Sequence, residues 1–131
     1  MDDAPDPPLT TARAAEAAGT SVHTLRYYER AGLLDHVERG PSGRRRYRVR
    51  DLRSVEFVVR LRGTGMPIAR IREYADLVRS GGDERVRLAL LEEHRDAVLD
   101  ALAEQGRHLA AIEKKIALYR EHLALPPQEN P

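Results

Sequence analysis

A chain of 131 residues that is 41% hydrophobic and 33% charged holds one modest core plus an appended element. Its 5% aromatic content, with no Trp, argues against a large ring-lined cavity, and the absence of Cys excludes disulfides, thiolate metal sites, iron–sulfur clusters and thiol-based redox sensing within the chain. The net charge of +1 conceals a division: between Arg39 and Arg62 nine Arg face only Asp51 and Glu56, the footprint of a surface that meets a polyanion, while beyond Gly82 ten acids outnumber seven bases.

Residues 1–8 contain three Asp and three Pro and are expected to form a disordered tail. No apolar run approaches the roughly 20 residues a bilayer needs, and the N-terminus is acidic where a secretory signal is basic, so a cytoplasmic protein with no membrane partner is expected. Residues 11–18 are Ala-rich, with Thr10 placed to cap and Gly19-Thr20 to close, which predicts a short helix. A second helix follows Ser21, whose hydroxyl suits the open amides of a first turn, and it ends at Gly32. Leu25, Tyr28 and the Leu33-Leu34 pair mark its buried side. His23, Thr24, Arg26, Tyr27 and Arg30 form a face of donors and planar groups suited to phosphates and base edges. Two short helices about a glycine turn read as a helix-turn-helix, with an ordinary helical hairpin as the plain alternative.

Gly40-Pro41-Ser42-Gly43, flanked by residues 37–39 and 44–47, predicts a β-hairpin. Strand alternation sends Arg44 and Arg46 one way and Arg45 with Tyr47 the other, so the hairpin reads as a basic wing beside the recognition-type helix. Helical spacing of Leu52, Val55, Val58, Val59 and Leu61 predicts a third helix over about residues 50–62. Gly63-Thr64-Gly65 lacks the strand, third glycine and Lys of a phosphate-binding loop and reads as a helix end. Pro67 suits the first turn of a fourth helix through Ile68, Ile71, Tyr74, Ala75 and Val78, closed by Ser80-Gly81-Gly82.

Asp83 caps the longest helical pattern in the chain. Leu88, Leu91, Val98, Leu102, Leu109, Ile112, Ile116, Tyr119 and Leu123 recur in steps of three and four, broken only by Arg95 and Gln105. Such a seam, on a helix roughly 60 Å long at about 1.5 Å per residue, exceeds what a small N-terminal core covers and calls for a partner helix, most simply a second copy of itself, with folding back onto its own domain as the plain alternative. Gly106 beside it costs about 1 kcal/mol of local helix stability. His94, His108 and His122 repeat every 14 residues, about 21 Å apart, so one helix does not gather them around a metal; they read as a solvated flank, with a site shared across a dimer through His108 as the alternative.

Residues 9–123 resemble the mercury-resistance regulator (MerR) family of winged helix-turn-helix transcription factors. The resemblance rests on Val22-His23-Thr24-Leu25-Arg26-Tyr27-Tyr28-Glu29 with Gly32-Leu33-Leu34, on Gly43, Arg45 and Tyr47, on Asp51-Leu52, on Leu61-Arg62 with Gly65, and on the terminal helix. It implies a mainly α fold: a winged helix-turn-helix DNA-binding domain over residues 9–80, a dimerisation helix over residues 83–124 forming an antiparallel coiled coil, and a short tail over residues 125–131. It implies a homodimer on a pseudopalindromic promoter operator, distorting the spacer for RNA polymerase. By position, Arg26 and Tyr27 correspond to recognition-helix contacts, Arg45 and Tyr47 to wing contacts, Arg62 to a phosphate ligand, and Thr10 or Thr11 to a phosphate donor. His23 and Thr24 are the candidates for sequence choice, and Ser21, Arg44 and Arg46 complete the DNA-facing set. Two departures stand out: Arg44 replaces an aromatic or apolar wing residue, and Val49 replaces a capping Ser or Thr, which predicts a weaker start to the third helix.

The expected function is therefore a DNA-binding transcriptional regulator without catalysis or cofactor. An architectural, excisionase-like DNA-bending protein is the alternative, disfavoured by the long seam. The absence of Cys removes the thiol-based sensing of many relatives, and the seven residues after Ala124 leave no room for a further ligand-binding domain, so no effector is assigned.

Overall fold

A computed structural model of the chain describes residues 7–35 and 37–127. The tail expected over residues 1–8 thus lies mostly outside the described residues, as do residues 128–131. Five helices follow in order: α1 (Thr11–Ala18), α2 (Val22–Arg30), α3 (Val49–Gly63), α4 (Ile68–Ser80) and α5 (Glu84–His122).

Local chemistry sets their limits. The Thr10 hydroxyl accepts from the Arg13 amide at 3.2 Å, and Ser21 Oγ accepts from the Thr24 amide at 3.0 Å, so both helices of the helix-turn-helix start on side-chain caps. Past α2, the Leu33 amide donates to the Tyr28 carbonyl at 3.0 Å and that of Gly32 to Glu29 at 3.2 Å. This closure needs Gly32 at φ 79°, a left-handed conformation costly to residues with a Cβ. The start of α3 has no side-chain cap from Arg48, which takes the cap position, as the expected weak start requires, but the Asp51 carboxylate offsets this by reaching back to accept from the Arg48 amide at 2.9 Å. Pro67 caps α4 rather than lying inside its first turn, and its carbonyl receives the Arg70 and Ile71 amides at 3.0 Å. At the start of α5, Asp83 Oδ1 accepts from the Arg85 amide at 2.9 Å.

The wing is a minimal hairpin. One antiparallel bridge joins Arg39 to Arg45, with Arg46 N–H donating to the Glu38 carbonyl at 2.8 Å. At its base both backbone groups of Tyr47 pair with Leu9, at 2.7 and 2.8 Å, so the chain entering α1 flanks the chain leaving the wing. No longer ladder forms among the described residues, because a short, Arg-rich two-stranded ribbon has too little apolar contact to extend itself.

The chain divides into two compact units, the first ending at Leu91 and the second starting at Glu92. In the first, α1 packs on α2 and α3, and α3 on α4. Leu25, Tyr47, Val55, Met66 and Ile71 are its largest fully buried side chains. Leu90 joins this core although it lies off the expected seam, and Leu91, assigned to the seam, packs partly against the same core. In the second unit the seam is open: Leu102 is 62% exposed and Leu123 68%, with Leu109, Ile112, Ile116 and Tyr119 similarly bare. Past α5 the chain turns at Ala124, whose φ is 55°, and Arg120 Nη1 donates to the Pro126 carbonyl at 3.1 Å. Leu125 and Pro127 thereby line one groove with Leu109, Ile112 and Ile116. No helix among the described residues is long and apolar enough to cross a membrane.

Candidate nucleic-acid interface

Helix α2 buries Leu25 and Tyr28 in the core, which turns His23, Arg26, Tyr27 and Arg30 outward and leaves Thr24 half-buried. Ser21 Oγ also donates to Thr24 Oγ1 at 2.9 Å, so these two candidate contacts are tied to each other. Beyond the helix, Arg79 of α4 donates to the carbonyls of Gly32 at 2.9 Å and Leu34 at 3.2 Å, and it pairs with Asp76. The recognition-type helix is therefore fixed at its start by its own hydroxyl cap and past its end by a guanidinium from another helix.

Three elements meet at one cationic pocket of about 440 Å3, lined by Thr10, Thr11 and Ala12 at the head of α1, Arg26 of α2, and Arg39, Gly43, Arg44 and Arg45 of the wing. The lining holds four guanidinium groups and no carboxylate. First-turn amides without intrahelical partners add to its positive potential. An oxyanion such as a phosphate is the group this combination receives. Arg39 was not singled out from the sequence; its Nη1 donates to the Gly43 carbonyl at 2.7 Å, bracing the tip.

Other expected contacts are placed elsewhere. Arg46 is exposed, and its stem covers Gly40 so closely that a Cβ there would sit 2.6 Å from Arg46 Cδ. Arg62, at the end of α3, donates to the Met66 carbonyl at 3.3 Å and lies outside the pocket. Tyr47, expected as a wing contact, is corrected to a core residue: at 1% exposure its ring does not reach a ligand. Burial pushes its phenol up, against a smaller opposing pull from Thr11. Arg45 keeps to the Tyr47 side of the ribbon, as alternation requires, and its Nε stands 2.6 and 2.5 Å from the two carboxylate oxygens of Glu29. That hydrogen bond raises the Arg45 guanidinium further above its ordinary value. Glu29 enters the sequence reading only as part of the motif, with no role of its own, because its partner lies 16 residues away; the available signal is a lone acid on a helix otherwise carrying bases.

Residues 9–77 match the family described as "MerR HTH family regulatory protein". This chain is a member of the MerR family. An HTH-type transcriptional regulator of Haemophilus influenzae is 38% identical to this MerR regulator over 117 residues, spanning 88% of this chain and 87% of that one. Among solved structures, HiNmlR, a MerR family regulator lacking the sensor domain and bound to promoter DNA, matches with a TM-score of 0.80 and 38% identity, covering 90% of this chain and 94% of its own. A putative MerR regulator from Listeria monocytogenes matches with a TM-score of 0.81 and 32% identity, covering 88% and 89%. The family is one of DNA-binding transcriptional regulators rather than enzymes, and the helical architecture with a long terminal helix agrees with both structures.

Proposed function

We propose that this MerR regulator acts in the cytoplasm as a homodimer on promoter DNA, each head laying α2 in a major groove of a pseudopalindromic operator. The observation that carries the reading is the pocket where α1, α2 and the wing converge: it seats a backbone phosphate and fixes the register of α2 on the duplex. From there Arg26 and Tyr27 reach the groove, His23 and Thr24 select sequence, and Arg44, Arg46 and Arg62 extend the phosphate contacts. Distortion of the spacer between the two heads then aligns the promoter elements for RNA polymerase.

The residue pattern of α5 supports self-association in one orientation. If two α5 helices run antiparallel and cross at Gln105-Gly106, position 88 meets 123, 91 meets 119, 98 meets 112, and 102 meets 109, so apolar residues meet apolar residues. The charges follow suit. Residues 84–104 hold six acids and three Arg, whereas residues 107–122 hold four bases and two Glu, so the acidic half of each copy faces the basic half of the other. Flanking the seam, Glu92, which follows Leu91, then stands opposite Arg120, which follows Tyr119.

Salt-titrated binding to a mixed-sequence duplex tests the DNA contacts. Arg26→Ala and Arg62→Ala each weaken binding and lower the slope of log affinity against log salt by about 0.9 for each phosphate no longer neutralised. Substitutions at His23 or Thr24 change the preferred sequence instead. Unchanged affinity and slope in both Arg variants would overturn the assignment.

A further inference from the structure

We propose that Glu29 is a positioning residue for DNA binding, holding the wing against the recognition helix through Arg45; the inference rests on the DNA-binding reading above. Glu29 is the lone acid of α2, on the helix whose outer face carries Arg26 and Arg30. By charge alone a carboxylate there opposes a polyanion. Its geometry indicates another role. Both of its oxygens lie within 2.6 Å of Arg45 Nε, and the two side chains are 18% and 26% exposed, so the pair is shielded from solvent more than an ordinary surface ion pair.

The wing needs such an anchor. Its strands share one bridge, and its base is tied by Tyr47 to Leu9. A ribbon of that size does not hold its own attitude in water. Arg45 sits at that bridge and also lines the phosphate pocket, so the carboxylate fixes a pocket wall and the angle of the hairpin carrying Arg39 and Arg44. Charge and positioning thus predict opposite signs for the same change.

The experiment measures affinity of the full chain for a mixed-sequence duplex by fluorescence anisotropy, comparing wild type, Glu29→Gln, Arg45→Ala and the double variant. Positioning predicts that E29Q weakens binding about tenfold for a dimer using two heads, although it removes negative charge, and that the double variant binds no more weakly than R45A. Amide exchange over residues 38–46 of the free protein also quickens in E29Q. Affinity equal to or tighter than wild type in E29Q, or effects that multiply in the double variant, would overturn the proposal. Should E29Q lose its fold, Glu29→Asp decides: it keeps the charge but withdraws the carboxylate from Arg45 by one methylene, so positioning predicts weaker binding, and binding equal to wild type refutes it. A wild-type chain that fails to retard any duplex in dilute buffer refutes the DNA-binding reading itself, whatever E29Q does.

Discussion

The antiparallel register makes a sharp demand on Glu92, which directly follows the seam residue Leu91 and so flanks the seam opposite Arg120, the residue after Tyr119. Replacing Glu92 with Arg places two guanidinium groups together toward each end of the coil, because Arg120 of the other copy faces it and symmetry repeats the contact. In the single chain Glu92 is 47% exposed, with Arg95 Nη2 3.9 Å from its carboxylate, so screened surface magnitudes apply rather than interior ones. Two attractive pairs of a few tenths of a kcal/mol each give way to two repulsive ones of similar size, in total about 1–2 kcal/mol per dimer. That corresponds to about 5- to 30-fold in the dimer dissociation constant. Sedimentation equilibrium at low salt reads the shift, which shrinks as added salt screens the charges. The double exchange Glu92→Arg with Arg120→Glu restores wild-type affinity, because opposite charges face one another again. A parallel coil would place position 92 beside position 87 of the other copy, and the exchange at position 120 would restore nothing. Equal dissociation constants for wild type and E92R, or failure of the double exchange to restore it, would refute the register.

Ser21→Ala removes the acceptor for the Thr24 amide and costs about 1 kcal/mol of head stability, read as a fall in urea midpoint with an unchanged m-value. Alkaline stability follows from Tyr47. Its phenol is raised above the ordinary 10.0 in the folded state, so the unfolded chain releases that proton first; stability is full below pH 10 and declines as pH rises beyond it. Thermal scans against pH show this decline in wild type and not in Tyr47→Phe.

What could be read in advance was whatever depends on near neighbours in sequence. Thr10 and Ser21 as caps and Gly32 as a helix end are local statements, and each matches the backbone observed. Tyr47 is expected as a wing contact by its place in the family resemblance, whereas pairing with Leu9, far back in the chain, draws the ring into the core. The start of α3 was judged by the residue at its threshold, while the group that closes it, Asp51, stands in the first turn. Leu90 fell between two seam positions and was assigned to no contact, because only the packed first unit shows which side of α5 its opening turns bury. The clasp of Glu29 on Arg45 is long-range in the same sense.

The guanidinium of Arg79 also imposes an order on synthesis. It holds two carbonyls located 45 and 47 residues earlier, so α1 and α2 have left the ribosome well before that tie exists. A nascent chain can wind both helices from their own caps and close α2 at Gly32, yet the side-chain brace past that closure waits until α4 has emerged. Competence to read a duplex is thus a late acquisition of this polypeptide, gained only after most of the head has been translated.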